Sequence, residues 1–315
     1  MNSPIRILAL AAALLAGLAA GWGGHIAAVS ADPGSAKPPA TAKASATQPV
    51  FATSRADDGD TLSVLNPTAG WMTISLDVTC RNMKSSVRTP LLFALAPKEH
   101  RDLAEIKPVN PAAGYSWRYQ FNYQPGNFQA KPDDRIVYRL PYEAHTRHEV
   151  GQGYHGKFSH FGVDEFAIDF VMPVGTKVCA ARDGEVVAIK ADSDVGGPNH
   201  GFRDKANYIQ IAHADGTVAN YVHLQLDGVL VKLGQQVRAG DVIGLSGNTG
   251  WSGQPHLHID IRIPIDGRTT RTVPVKFLTG PGQAETPEEH KTYTAVDLPN
   301  PEKPAASPPT PSSQP

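Results

Sequence analysis

The sequence holds little that could cross-link it. It has two cysteines in 315 residues, Cys80 and Cys179, and neither has a CxxC partner. That spacing excludes a cysteine-based metal or redox centre and leaves either one disulfide or two buried thiols. Aromatic residues are 7% of the chain and methionine occupies four positions, so a core must be built mainly from aliphatic side chains. An excess of one charge is also missing: 29 Lys and Arg against 30 Asp and Glu give a formal net charge of -1. Such a balance gives no electrostatic footprint for nucleic acid, which we exclude as a partner. Beyond the first thirty residues no apolar run is long enough to cross a bilayer. No internal repeat of 20 to 50 residues is present, and no helical period of useful length marks residues 50–145.

Glycine and proline are abundant, with 29 and 27 residues, and they punctuate the chain into short segments. At the start, Arg6 precedes an apolar run from Ile7 to about Gly21, and Val29 and Ala31 stand at −3 and −1 of a cleavage site. This is the layout of a secretory signal over residues 1–31. The expectation is export to the periplasm or cell envelope, or secretion; membrane attachment follows only if the segment stays uncleaved. Residues 32–49 are rich in Ala, Pro, Lys, Ser and Thr and read as a disordered linker. Residues 280–315 read as a Pro-rich disordered tail.

Between these ends the periodicity is two. Met72, Ile74, Leu76 and Val78 alternate with polar residues, as do Trp117, Tyr119, Phe121 and Tyr123. Such strands bury one face and wet the other. Residues 50–145 are therefore expected to form an antiparallel β-sandwich-like accessory domain. Short Val- and Ile-rich runs separated by Gly or Asp-Gly turns continue through residues 146–279, giving an all-β chain of two domains.

Chemistry concentrates in the second domain. In His256-Leu257-His258 the strand pattern puts both imidazoles on one face, roughly 7 Å apart along it. By itself the pair is compatible with an ordinary wet strand face. Asp169 stands in the apolar Ala167-Ile168-Asp169-Phe170, where an unpaired charge is costly and a metal or a salt bridge would compensate it. His155 and His160 occupy a Gly-rich loop upstream, and His223 ends another apolar run. One carboxylate and two imidazoles with an open position make a catalytic zinc site rather than a closed structural one. His213, before an Asp-Gly turn, reads as structural.

Three ordered motifs carry a resemblance. They are Gly175 to Val187 with its Asp183-Gly184 turn, the hairpin Val231 to Gly244, and Gly247-Asn248-Thr249-Gly250 followed by Gly253-Gln254-Pro255-His256-Leu257-His258. Over about residues 150–278 the chain resembles the LytM-like M23 zinc metallopeptidases. The resemblance implies an M23-type antiparallel β-sheet domain, Zn2+ as cofactor, and hydrolysis of peptide cross-bridges in bacterial peptidoglycan, whose peptide stems are then the partner. It also implies Asp169 and His258 as metal ligands, with His223 and His256 as catalytic histidines: His256 moving the proton of the attacking water, His223 serving the oxyanion. One ligand departs from the family pattern. The first histidine usually lies four residues before the aspartate, where this chain has Glu165. His160, nine residues before Asp169, is expected to take its place, with His155 and Glu165 as alternatives. Two other readings stay open: a catalytically silent M23-like module that binds wall or activates another hydrolase, and a lipoyl- or biotin-carrier-like barrel. The latter lacks a lysine at the hairpin turn.

Overall fold

A computed structural model describes residues 27–31, 47–56 and 58–297, with the backbone alone described for 27–31. Most of the expected signal segment, most of the linker and residues 298–315 lie outside the described residues. Among the described residues no helix is long and apolar enough to cross a membrane.

The alternating segments of the first half pair as two four-stranded sheets around one core. One sheet runs Ala27–Ala31, Ser116–Pro125, Met72–Arg81, Leu91–Leu95 in spatial order; the other runs Val50–Ala56, Gly59–Leu65, His100–Pro108, Met83–Ser85. Met72, Ile74 and Leu76 meet Leu62, Val64 and Ile106 between them, with Trp117, Tyr119, Phe121 and Tyr123 filling the same layer. Trp117 donates its indole N–H to the buried Asp60 carboxylate at 2.6 Å, so the one polar atom of that ring is satisfied. This is the expected sandwich.

The second half is a nine-stranded antiparallel sheet. Its order is Gln236–Val237, Gly184–Lys190, Asn207–Ala212, Val218–Leu224, His256–Pro264, Ala167–Val171, Arg147–Gln152, Thr292–Thr294, with Thr270–Thr272 beside the end of His256–Pro264. Ile209, Ile211, Tyr221, Leu257, Ile259, Ile261, Ile168 and Phe170 point from one face into the larger core. The expected all-β class holds throughout.

Three expected boundaries move. Ala27–Ala31, the end of the expected signal segment 1–31, pairs with Ser116–Pro125 as a strand of the sandwich, which therefore reaches beyond residues 50–145. Residues 137–142 were assigned to the accessory domain, yet Tyr138, Leu140 and Tyr142 are buried in the second core, and Val137–Arg139 pairs with Lys276–Gly280. An apolar run announces burial but not which core receives it. The tail also begins later than residue 280: Thr292–Thr294 adds a strand to Arg147–Gln152, and Tyr293 is buried. Its composition hides two short strands, Gln283–Glu285 and Thr292–Thr294. Both cysteines are free: Cys80 lies in the sandwich and Cys179 is buried in the other domain, so no disulfide forms between them.

The other face of the large sheet is polar at one end and covered at the other. Register places Asp169 opposite His258, His258 opposite Val222, Asp260 opposite Asn220, and Arg262 opposite Val218. Val218 pairs with Ala212. There the sandwich docks: a Cβ on Gly70 would stand 2.7 Å from that of Ala212, Ala69 donates its N–H to Glu185, and Ser75 accepts from the Gly267 N–H at 3.1 Å. The histidines occupy the open end.

Candidate functional site

The two strands that carry Asp169 and His258 are neighbours, and the residues are direct register partners. Their side chains therefore meet on the open face, with His258 Nδ1 2.9 Å from Asp169 Oδ1. His256 follows by alternation, its Nε2 3.6 Å from the same oxygen. His160 arrives differently. Its loop is followed by the 3-10 turn Gly162–Asp164, and Asp164 ties that turn down with ion pairs to Arg203 at 2.8 Å and Arg262 at 3.4 Å. The nine-residue connection thus folds back, and His160, fully buried, places Nε2 3.2 Å from Asp169 Oδ1.

His223 depends on a bulge. Tyr208 pairs with Val222 and Asn207 with Leu224, so His223 is an extra residue in the ladder. Regular alternation would turn it into the core after Val222 faced the open side. Its φ of 66° instead swings the ring outward, where its centroid lies 4.6 Å from that of His256. A non-glycine residue in that region is uncommon and costs on the order of 1 kcal/mol or more.

Hydrogen bonds decide which nitrogen each ring offers. His160 Nδ1 donates to the Gly153 carbonyl at 2.8 Å, His223 Nδ1 to Thr249 at 2.6 Å, and His256 Nδ1 to Gln254 at 2.7 Å. His258 uses Nε2 instead, donating to Asp260 Oδ2 at 3.1 Å. The rings thus turn Nε2 of His160, His223 and His256, and Nδ1 of His258, toward Asp169 and the cleft. The buried Nε2 of His160 makes no hydrogen bond, because it and the Asp169 carboxylate are both acceptors. His160, Asp169 and His258 offer ligand atoms that all lie within 4.8 Å of one another. Two imidazole nitrogens and a carboxylate oxygen crowded onto one point are the chemistry of a zinc-type donor set. These residues fit a metal ion.

The electrostatics point the same way. Burial pulls His258 toward neutrality, but the carboxylates of Asp169 and Asp260 outweigh it and lift the pKa to about 10. That is a demand for positive charge at this point, which a proton or a metal ion can meet. Burial would raise Asp169, yet His256, His160 and His258 hold it well below 3.8. His223 moves the opposite way: burial first, then His256 and His258, keep it neutral.

Of the expected residues, His160, Asp169, His223, His256 and His258 come together. His155 and Glu165 do not join them. Both side chains are largely exposed and they face each other, with His155 Nδ1 3.8 Å from Glu165 Oε2. His213 is buried against the Asp183 carbonyl and away from the cluster. Asp260 was missed by the sequence reading. It is buried, holds His258 Nε2, and is itself gripped by Arg262 and Asn220. The signal was there, since Asp260 follows His258 at the same two-residue step that links His256 to His258.

Residues 164–272 match the sequence model of Peptidase family M23. The chain carries an M23 peptidase domain. His160 lies four residues before the matched stretch. Within the M23 domain the chain is 42% identical over 93 residues to peptidoglycan DD-endopeptidase ShyA of Vibrio cholerae, covering 30% of this chain and 19% of that one. It is 35% identical over 121 residues to glycyl-glycine endopeptidase ALE-1 of Staphylococcus capitis, covering 38% and 31%. The match therefore spans less than a third of either relative's length. The solved structure of lysostaphin from Staphylococcus simulans is similar at 28% identity over 42% of this chain and 52% of that chain, with a TM-score of 0.30.

A cleft of about 800 Å3 opens over the M23 domain's histidines. Phe158 and Trp251, ring centroids 5.4 Å apart, line one part of it, and Glu289 and His290 of the C-terminal segment line another. The segment expected to be tail thus contributes to the cleft.

Proposed function

We propose that this protein is a zinc-dependent endopeptidase that hydrolyses peptide cross-bridges of bacterial peptidoglycan. The observation that carries this reading is the convergence of His160 Nε2, Asp169 Oδ1 and His258 Nδ1 on one point of an open cleft, with two further imidazoles beside it. The activities of the relatives, a peptidoglycan DD-endopeptidase and a glycyl-glycine endopeptidase, suggest the substrate class. His160, Asp169 and His258 are the metal ligands in this proposal. Zinc held there would supply a Lewis acid for the scissile carbonyl and would acidify bound water toward a pKa of about 7.

The protein's own groups handle the protons. His256, with Nδ1 committed to Gln254, presents an Nε2 lone pair beside Asp169 and accepts the proton of the attacking water. His223 is neutral and its Nδ1–H is engaged by Thr249, so its Nε2 also starts as an acceptor. It serves the developing oxyanion, or the leaving amine, only after it has taken a proton. Asp260 fixes the His258 ring so that Nδ1 faces Asp169.

Export to the periplasm or cell envelope completes the proposal, since peptidoglycan lies outside the cytoplasmic membrane. The sandwich serves as an accessory domain to the peptidase. A reading as a silent wall-binding module rested on Glu165 standing where the family has histidine; the approach of His160 to Asp169 supports the active reading over it.

The test is digestion of purified peptidoglycan with the zinc-loaded protein, followed by mass spectrometry of the fragments. Cross-linked dimers should fall and new peptide termini appear, with the effect abolished by a chelator. An unchanged fragment profile would overturn the enzymatic reading in favour of the silent module.

A further inference from the structure

The nine-residue gap between His160 and Asp169 leaves His160 on a loop, where four backbone steps along a strand cannot align it. Something has to hold that loop against the strand. At the centre of the loop lies the side chain of Gln152, a residue only 7% exposed. Its amide nitrogen donates to Asp169 Oδ2 at 3.1 Å and to Ser159 Oγ at 2.8 Å. Its amide oxygen accepts from the backbone N–H of Phe158 at 2.9 Å and of Ser159 at 3.3 Å. All four hydrogen-bonding positions of the amide are used, and the pattern fixes its orientation, because a flipped amide would turn its oxygen on the carboxylate.

Backbone irregularity puts the residue there. Val150 pairs with Phe170 and Gln152 with Asp169, so Gly151 is an extra residue in the strand Arg147–Gln152. The bulge turns Gln152 out of the core and onto the open face beside Asp169. The loop has also been shaped around it: a Cβ on Gly156 would stand 2.2 Å from Gln152 Cγ. One amide thus binds the carboxylate on one side and, on the other, the two residues that precede His160.

We infer that Gln152 is a positioning residue, which locks His160 to Asp169 and selects Oδ1 as the oxygen facing the metal. The inference rests on the metal-ligand reading above. Gln152 leaves Oδ1 to face His160, His258 and His256 by occupying Oδ2. It acts through the two ligands that its amide holds together.

The experiment compares the full chain with Gln152→Met, of similar length but with no amide, and with Gly156→Ala, which displaces an intact Gln152. Zinc affinity is measured by competition with a chromophoric chelator, and the cobalt-substituted proteins are compared by visible absorption. Both variants should bind zinc about 10- to 100-fold more weakly, with a changed cobalt spectrum. Ser159→Ala, which spares the bond to Asp169, should lose less. Thermal unfolding of the metal-free proteins separates a fold defect from a site defect, and Gly156→Ala decides the matter if Gln152→Met does not fold. Wild-type zinc affinity and cobalt spectrum in folded variants would overturn the role of Gln152. Failure of the unaltered chain to bind zinc would instead remove the metal reading on which it stands.

Discussion

Asp169 and His258 are brought together by regular structure; His160 and His223 are brought to the same place by departures from it. The first pair sits in register on adjacent strands, so each side chain's direction follows from a period of two. The second pair needs a folded-back loop pinned by Asp164 and Gln152, and a bulge with a left-handed residue. The lesson is that a sheet can supply a rigid half-site cheaply, while closing the site demands backbone the pattern does not specify.

Replacing the ligands should produce the largest effects. Asp169→Ala and His258→Ala should lose most bound zinc while remaining folded β proteins, as metal analysis and circular dichroism would read. His160→Ala should behave likewise, with His155→Ala and Glu165→Gln close to wild type. A zinc-replete, active His160→Ala protein would break the comparison and move the third ligand to Glu165. Next, His256→Ala and His223→Ala should keep zinc but lose activity by about 10²-fold or more. If either lost its metal, its place outside the ligand set would be wrong.

His213 offers a contrast, a buried histidine at a strand end that lies outside the donor cluster. Burial, opposed by its bond to the Asp183 carbonyl, lowers its pKa from 6.5 to about 4. The unfolded chain takes up a proton below pH 6.5 that the folded protein refuses until about pH 4. Stability from this group is therefore full above 6.5 and falls as the pH drops through that window, by about 3 kcal/mol in all. Denaturant titrations from pH 7 to 4 should show a shallower fall in His213→Gln. An identical slope in both proteins would show that other groups dominate. The smallest effect concerns the bulge. With φ at 66°, His223→Gly should be more stable than His223→Ala by about 1 kcal/mol, though both are inactive.

Much of this was legible in the sequence. Alternation at Met72 to Val78 and at Trp117 to Tyr123 gave the sandwich strands, and the same rule set His256 and His258 on one face. It should have given Asp260 too. Tyr138 and Tyr142 were misassigned because an apolar side chain does not name the core it joins. The short strand around Tyr293 was hidden within a proline-rich stretch. Gln152 was invisible for a stronger reason: without the bulge at Gly151 it would face the core, and a bulge leaves no mark on periodicity.

The seat of the sandwich on the sheet has a practical side. Val187, Ala212 and Val218 form a small apolar cluster at this contact, close to Gly70, and the buried Glu185 receives the Ala69 N–H. A peptidase fragment made without its N-terminal half would bare those three side chains and leave Glu185 without that donor. Those bared side chains would make the fragment adhesive. Trimming the C-terminal end before Thr292 would add a second injury, exposing the outer edge of Arg147–Gln152 to pairing with another molecule. Any shortened form therefore needs a polar replacement at the contact and an intact end through Ala295, which is itself buried.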